Sequence, residues 1–124
     1  MKRSLIGLIA LMMSPLFAPQ ANAERTSNVQ TLLAACTEDS RSFDFTYCLG
    51  YVGGTADTMA VNGWAAKKAG TPATLGMTCI SSPAPTYGAY VQAFVNWAQA
   101  HPKNWQESLG YGVMEALSQT WPCQ

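Results

Sequence analysis

The sequence predicts an all-α protein, a small four-helix domain closed by two disulfides. Apolar residues recur at helical spacing in four segments, and no sustained alternation of period two marks a strand. All four cysteines follow an export signal, which favours disulfides. The 124 residues argue for one domain. Seven basic residues balance seven acidic ones without a Lys/Arg run, so we expect no nucleic-acid partner.

The N-terminus has the features of a secretory signal peptide. Lys2 and Arg3 precede an apolar stretch over residues 5–17, and a small-x-small cleavage signature ends at Ala23. The stretch is shorter than the ~20 residues that a transmembrane helix needs. We therefore expect removal of residues 1–23. The single domain over residues 24–124 would then lie in the periplasm, without membrane association and with a mildly negative charge.

A lipoprotein signal is the alternative interpretation of this region. Residues 33–36 read Leu-Ala-Ala-Cys, which would make Cys36 the lipid-bearing first residue. A lipobox should directly follow the apolar segment, whereas residues 24–30 in between are polar and charged. We therefore favour cleavage after Ala23.

The first two helices are predicted at about residues 28–36 and 44–68. Ser27 with Gln30 forms a capping box for the first helix. In the second helix, a stripe at helical spacing is formed by small residues and one acid, Gly50, Gly53, Gly54 and Asp57. Each internal glycine costs about 1 kcal/mol relative to alanine. The stripe therefore predicts that another backbone approaches closely. We also expect Asp57 to be buried and hydrogen-bonded. The alternative is that part of this segment is a loop.

Prolines and glycines over residues 70–85 predict a connection, followed by a third helix at about residues 86–100. His101-Pro102 ends it, and we expect the His101 imidazole to bond terminal carbonyls. Trp97 is offset from the apolar face, so we expect it to be partly exposed. 

The fourth helix is predicted at about residues 105–120. Asn104 followed three residues later by Glu107 is a capping signal, and apolar residues recur along one face behind it.

The cysteine spacings of 12, 31 and 44 lack the short ligand pairs of a zinc site. Three pairings are possible. Cys36 ends the first helix and Cys48 lies one turn into the second, so an antiparallel hairpin brings them together. Cys79 precedes the third helix and Cys123 follows the fourth, so these two also meet if the third and fourth helices are antiparallel. We therefore predict Cys36–Cys48 and Cys79–Cys123.

No catalytic pattern is found in the sequence. His101 is the single histidine, and no Gly-x-Ser-x-Gly elbow, phosphate-binding glycine loop or suitably spaced pair of acids accompanies it. We therefore expect no catalysis, metal or cofactor. The candidate partner contacts are two tryptophans and a polar loop: Trp64, Trp97, Glu38, Asp39 and Arg41.

The landmarks together resemble the Rap/Tai-type immunity proteins of type VI secretion systems, over about residues 29–123. The matching residues are Tyr47-Cys48-Leu49-Gly50-Tyr51-Val52-Gly53-Gly54, Asp57, Cys79-Ile80, His101-Pro102, Ala116-Leu117 and Trp121-Pro122-Cys123. The family often has proline directly after Cys-Ile, whereas Ser81-Ser82 intervene here.

The resemblance implies an exported helical protein, often a homodimer, that binds a peptidoglycan amidase effector and occludes its active site. The shared residues Gly50, Tyr51, Gly53, Gly54, Asp57 and Pro122 look structural, so the resemblance assigns no inhibitory residue. The alternative is a periplasmic structural or chaperone-like module without a toxin partner.

Overall fold

The computed structural model describes residues 27–123. The expected signal peptide at residues 1–23 lies outside this range. The described chain forms four α-helices and one 3-10 turn: α1 (Val29–Cys36), α2 (Phe43–Ala69), α3 (Tyr87–Ala100), the turn Pro102–Asn104, and α4 (Leu109–Thr120). The prediction of an all-α domain with four helices is confirmed.

Each helix begins at a polar residue whose side chain accepts a hydrogen bond from a backbone N–H three residues later. These caps are Asn28, Ser42, Thr86 and Ser108. Such a bond satisfies one of the unpaired amides at a helix start. The predicted Ser27/Gln30 capping box was wrong, because Asn28 and Thr31 form it instead.

The predicted start of the fourth helix was also wrong by four residues. The backbone carbonyls of Trp105 and Glu107 accept hydrogen bonds from the amides of Gln30 and Val29, at 3.0 Å each. The residues before α4 therefore satisfy amides at the start of α1 and cannot continue a helix of their own.

One face of α2 packs against the three shorter helices. Val52 from α2, Phe94 from α3 and Val113 from α4 are fully buried in the shared core. α2 is more than twice as long as α1, so much of its opposite face is left uncovered. No helix within residues 27–123 combines the length and apolarity needed to cross a membrane.

Both disulfides join the residues that the sequence predicts. Cys36–Cys48 links the end of α1 to α2, with a Cα–Cα distance of 5.2 Å. Cys79–Cys123 links the α2–α3 connection to the segment after α4, with a Cα–Cα distance of 4.7 Å. The first crosslink therefore ties α1 to α2, and the second ties the end of the described chain to the α2–α3 connection.

The close backbone approach to α2 is at Gly63, which the sequence analysis did not single out. A Cβ atom there would overlap the backbone carbonyl of Thr78. The Thr78 amide donates to the Met59 carbonyl at 3.1 Å and holds the connection against the helix. Gly53 instead faces the ring of Tyr87, and a Cβ at Gly50 or Gly54 would meet no atom within 4 Å. The prediction that another backbone approaches the glycine stripe closely was therefore wrong for contacts within one chain.

Gly63→Ala should destabilise the fold although alanine favours helices. The added methyl forces Thr78 away from α2, at about 1–3 kcal/mol in the free energy of unfolding. The control Gly54→Ala meets no neighbour and should stabilise by about 0.5–1 kcal/mol through helix propensity. Urea unfolding of dilute protein measures both; equal stability of the two variants would contradict this packing.

Candidate functional site

The loop between α1 and α2, residues 37–42, is the candidate partner-binding site, and we name it the α1–α2 corner. The Cys36–Cys48 disulfide closes the chain around it. Glu38, Asp39 and Arg41 are all exposed. The structure thus brings together three of the five partner contacts that the sequence proposed.

Short-range hydrogen bonds give the corner a defined shape. The Asp39 carboxylate accepts from the Arg41 backbone amide at 2.9 Å and from Arg41 Nε at 3.2 Å. The Asp39 carbonyl accepts from the Ser42 amide at 2.8 Å. Such an exposed ion pair adds little to global stability. Its effect is local, because it orients the backbone between two helices that are already crosslinked.

The two acids of the corner are placed for different roles. Asp39 uses its carboxylate within the loop. The Glu38 carboxylate has no hydrogen bond or ion pair with any other residue in the described range 27–123. An ionised carboxylate is an acceptor only. Glu38 therefore offers acceptor oxygens to a donor on another molecule.

An apolar patch adjoins the corner on α2. Phe43 is 80% exposed and Tyr47 is 44% exposed. They border a groove of about 280 Å³ between α1 and α2, lined by Ser27, Thr31, Leu32, Ala35, Phe43, Tyr47 and Leu109. Sequence reasoning missed Phe43, because it lies just before the predicted helix start. Its spacing of four residues from Tyr47 could have placed both on one helical face.

Trp64 lies far from the corner, at the other end of α2. Its side chain is 63% exposed, and the Lys68 ammonium lies 4.8 Å from its ring centroid. A rise of 1.5 Å per residue separates Trp64 from Phe43 by about 30 Å. Within one chain, Trp64 and the α1–α2 corner therefore form separate surfaces.

Trp97 is buried, so the expectation of partial exposure was wrong. Only 8% of it is exposed, and its ring lies over Gly112 of α4. α3 packs against several helices at once and needs a wider buried face than one stripe. Trp97 also stacks on His101, with centroids 4.8 Å apart. His101 Nδ1 bonds the Trp97 carbonyl at 2.7 Å, which confirms the expected role of His101 at the helix end.

Asp57 is exposed, which corrects the prediction that it is buried, but it is hydrogen-bonded as expected. It accepts from the Tyr87 hydroxyl at 2.5 Å. This bond and the carboxylate charge raise the pKa of Tyr87 above its usual value. Burial raises the pKa of Tyr51, whose hydroxyl lies over Gly110. These residues thus attach α2 to α3 and α4, while Pro122 is exposed beside Cys123.

The cysteines and the histidine of the described residues have structural partners. Within residues 27–123, all four cysteines are in disulfides and no three His, Cys, Asp or Glu side chains are grouped to hold a metal ion. The one histidine uses Nδ1 at the helix end. The exposed loop and apolar surfaces are the features that remain available to a partner.

Breaking the Cys36–Cys48 disulfide should loosen the corner first. The Cys36→Ser/Cys48→Ser variant should lose about 3 kcal/mol of stability. Trypsin should then cut after Arg41 at least tenfold faster, because cleavage follows local opening. In the control Cys79→Ser/Cys123→Ser, cleavage after Arg41 should not rise relative to cleavage after Lys103. Peptide mass spectrometry measures cleavage after Arg41. Equal acceleration of this cleavage in both variants would contradict the role of the Cys36–Cys48 disulfide in holding the corner closed.

Comparison with known proteins assigns the chain to one family. The sequence profile of the Rap1a immunity proteins matches residues 28–123, which include all four helices and both disulfides. Comparison with curated proteins and comparison with solved structures each give no significant match. Because the profile spans most of the chain, this protein belongs to the Rap1a immunity protein family.

Proposed function

We propose that this protein is a periplasmic immunity protein that binds a peptidoglycan amidase delivered by a type VI secretion system and occludes its active site. Membership of the Rap1a immunity protein family is the observation that carries the proposal. The family supports binding to a secreted effector. The amidase, the compartment and the contact surface are the parts that we propose here.

The α1–α2 corner is the surface that we assign to the effector. A loop held in one conformation loses less conformational entropy when it binds than a mobile loop does. The corner has a crosslink at its base and hydrogen bonds within it. It also projects from the helices with Glu38, Asp39 and Arg41 exposed. These features suit a loop that enters a cleft.

Inhibition would be steric, and this chain would take part in no chemical step. The corner fills the mouth of the amidase cleft and keeps the wall peptide away from the catalytic residues. Glu38 accepts hydrogen bonds from a lysine, an arginine or backbone amides at the cleft. Asp39 keeps Arg41 in place, so the loop presents both signs of charge. No catalytic residue and no cofactor is needed on this chain.

The periplasm is the compartment that fits the crosslinks. Disulfides persist in oxidising compartments and are rare in the cytosol. In this proposal residues 1–23 direct export and are removed, and residues 24–124 form the working domain. The cell wall and an effector that attacks it lie in the same compartment.

Charge reversal at Glu38 should weaken effector binding. Glu38→Lys replaces an acceptor with a positive charge, which repels the donors of the proposed cleft, so the Kd for the cognate amidase should rise at least tenfold. Cells with this variant should lose protection from the amidase. Glu115→Lys is the matched control, because it makes the same charge change on α4, where Glu115 accepts from Gln119.

Calorimetry and growth protection measure these effects. Unchanged affinity in Glu38→Lys would contradict the corner as the binding surface. No binding by the unmodified protein would contradict the amidase proposal. Suppressed aggregation of unrelated unfolded proteins would instead favour the chaperone-like alternative.

A further inference from the structure

The two disulfides differ in their access to solvent. Cys36 and Cys48 are 5% and 0% exposed, so the first bond is closed off inside the core. Cys79 is exposed and Cys123 is half-buried, so the second bond lies at the surface. Exchange between a thiol and a disulfide requires that a thiolate reach one of the two sulfur atoms. In the folded chain, the Cys79–Cys123 bond meets this requirement and the Cys36–Cys48 bond does not.

Two cavities adjoin the Cys79–Cys123 bond. The first has a volume of about 320 Å³, and both cysteines contribute to its wall. The second has a volume of about 270 Å³ and is lined by Cys79. Gly63 and Lys67 of α2 line both cavities. An attacking thiol therefore finds space beside the bond, next to a cationic side chain.

The position of Lys67 on α2 places its charge on the side of Cys123. Gly63 and Lys67 are four residues apart and share one face of the helix. The Cys123 sulfur packs over Gly63, where it would lie 3.2 Å from an added Cβ. Side chains on a helix point back over the preceding turn, so Lys67 extends towards Gly63 and this sulfur. Its ammonium has no ion pair or hydrogen bond with any other residue in the described range 27–123.

We propose that Cys79–Cys123 is a site of thiol–disulfide exchange, which a dithiol oxidoreductase opens and closes while Cys36–Cys48 stays intact. Cys79 provides the sulfur that is attacked, because it is the more exposed cysteine of the pair. Cys123 provides the leaving thiolate, because its sulfur packs on α2 and it lines the same cavity as Lys67. A cation beside a thiol lowers its pKa, and a thiol of lower pKa leaves faster. This inference goes beyond the effector binding proposed above and does not depend on it.

The exchange takes place in two steps. A thiolate of the dithiol attacks Sγ of Cys79, and the bond between the two cysteine sulfurs breaks. The electron pair of that bond leaves on Sγ of Cys123 as a thiolate, which Lys67 stabilises and which then takes a proton from water. The second thiolate of the dithiol attacks the dithiol sulfur of the mixed disulfide and releases the Cys79 thiolate, which is protonated in turn. Two electrons and two protons thus pass to this chain, and the dithiol becomes a disulfide.

The chain around the Cys79–Cys123 bond stays in place when the bond opens. The Cys79 amide donates to the Trp121 carbonyl at 3.2 Å. The Trp121 ring packs edge-on against Tyr90, with the ring centroids 5.1 Å apart. These contacts keep the two thiols close together, and groups held close together react readily with each other. The exchange is therefore reversible, and the α1–α2 corner keeps its own crosslink throughout.

Timed reduction with dithiothreitol compares the two disulfides. The oxidised full chain is incubated with this dithiol, free thiols are alkylated with iodoacetamide, and the tryptic peptides are quantified by mass spectrometry. Each of the four cysteines lies in a different tryptic peptide, so the two bonds are measured separately. We expect Cys79 and Cys123 to become alkylated about 100-fold faster than Cys36 and Cys48, because the buried bond reacts only after local opening.

Lys67→Gln should slow the reduction of Cys79–Cys123 about fivefold, because the leaving thiolate loses its neighbouring cation. Lys68→Gln is the matched control, because it removes the same charge from the adjacent residue. The Lys68 ammonium lies 4.8 Å from the Trp64 ring centroid, and Lys68 lines neither cavity. This control should leave the rate of reduction unchanged. Equal rates in the two variants would overturn the role of Lys67. 

Incubation with the monothiol glutathione identifies the attacked sulfur, provided that the released thiol is alkylated at once. We expect glutathione on Cys79 and the alkyl group on Cys123; the reverse would overturn the order of attack. Equal reduction rates of the two disulfides would overturn the inference. So would a reduction of Cys79–Cys123 that speeds up in urea below the unfolding transition, since the exchange would then require an opened chain. Circular dichroism of the selectively reduced chain should show unchanged helix content.

Discussion

The Cys36–Cys48 disulfide holds the end of α1 against α2, and both the core and the exposed corner depend on that contact. Both cysteines are buried, so the crosslink belongs to the core as much as to the loop. A chain of this size buries only about two thirds of its unfolded surface. A crosslink worth about 3 kcal/mol is then a large part of a typical net stability. The same bond also holds together the two helices that flank residues 37–42.

α2 has two faces with separate roles. Its inner face supplies the core, and close contact there is made at Gly63 against Thr78. Its outer face is mostly exposed, although Asp57 on that face accepts a hydrogen bond from Tyr87 of α3.

The features predicted correctly from sequence are those that local chemistry determines. Helical periodicity gave four helices, and the positions of cysteines at helix ends gave both disulfides. The bond from His101 followed from its place before proline. The errors in the start of α4 and in the exposure of Trp97 arose where segments far apart in the sequence come into contact. The residues before α4 bond to the start of α1, and Trp97 is covered because it packs over Gly112. Periodicity within one segment contains no information on such contacts.

In the proposed function, the effector contacts the α1–α2 corner and not the α3–α4 side, where Trp97 and His101 border a groove of about 540 Å³. Hydrogen exchange of this protein with and without bound amidase tests it most directly, because backbone amides report contact along the whole chain. The account predicts new protection over residues 37–42, with residues 89–97 of α3 unchanged. Protection confined to α3 and α4, with the corner exchanging as in the free protein, would contradict it.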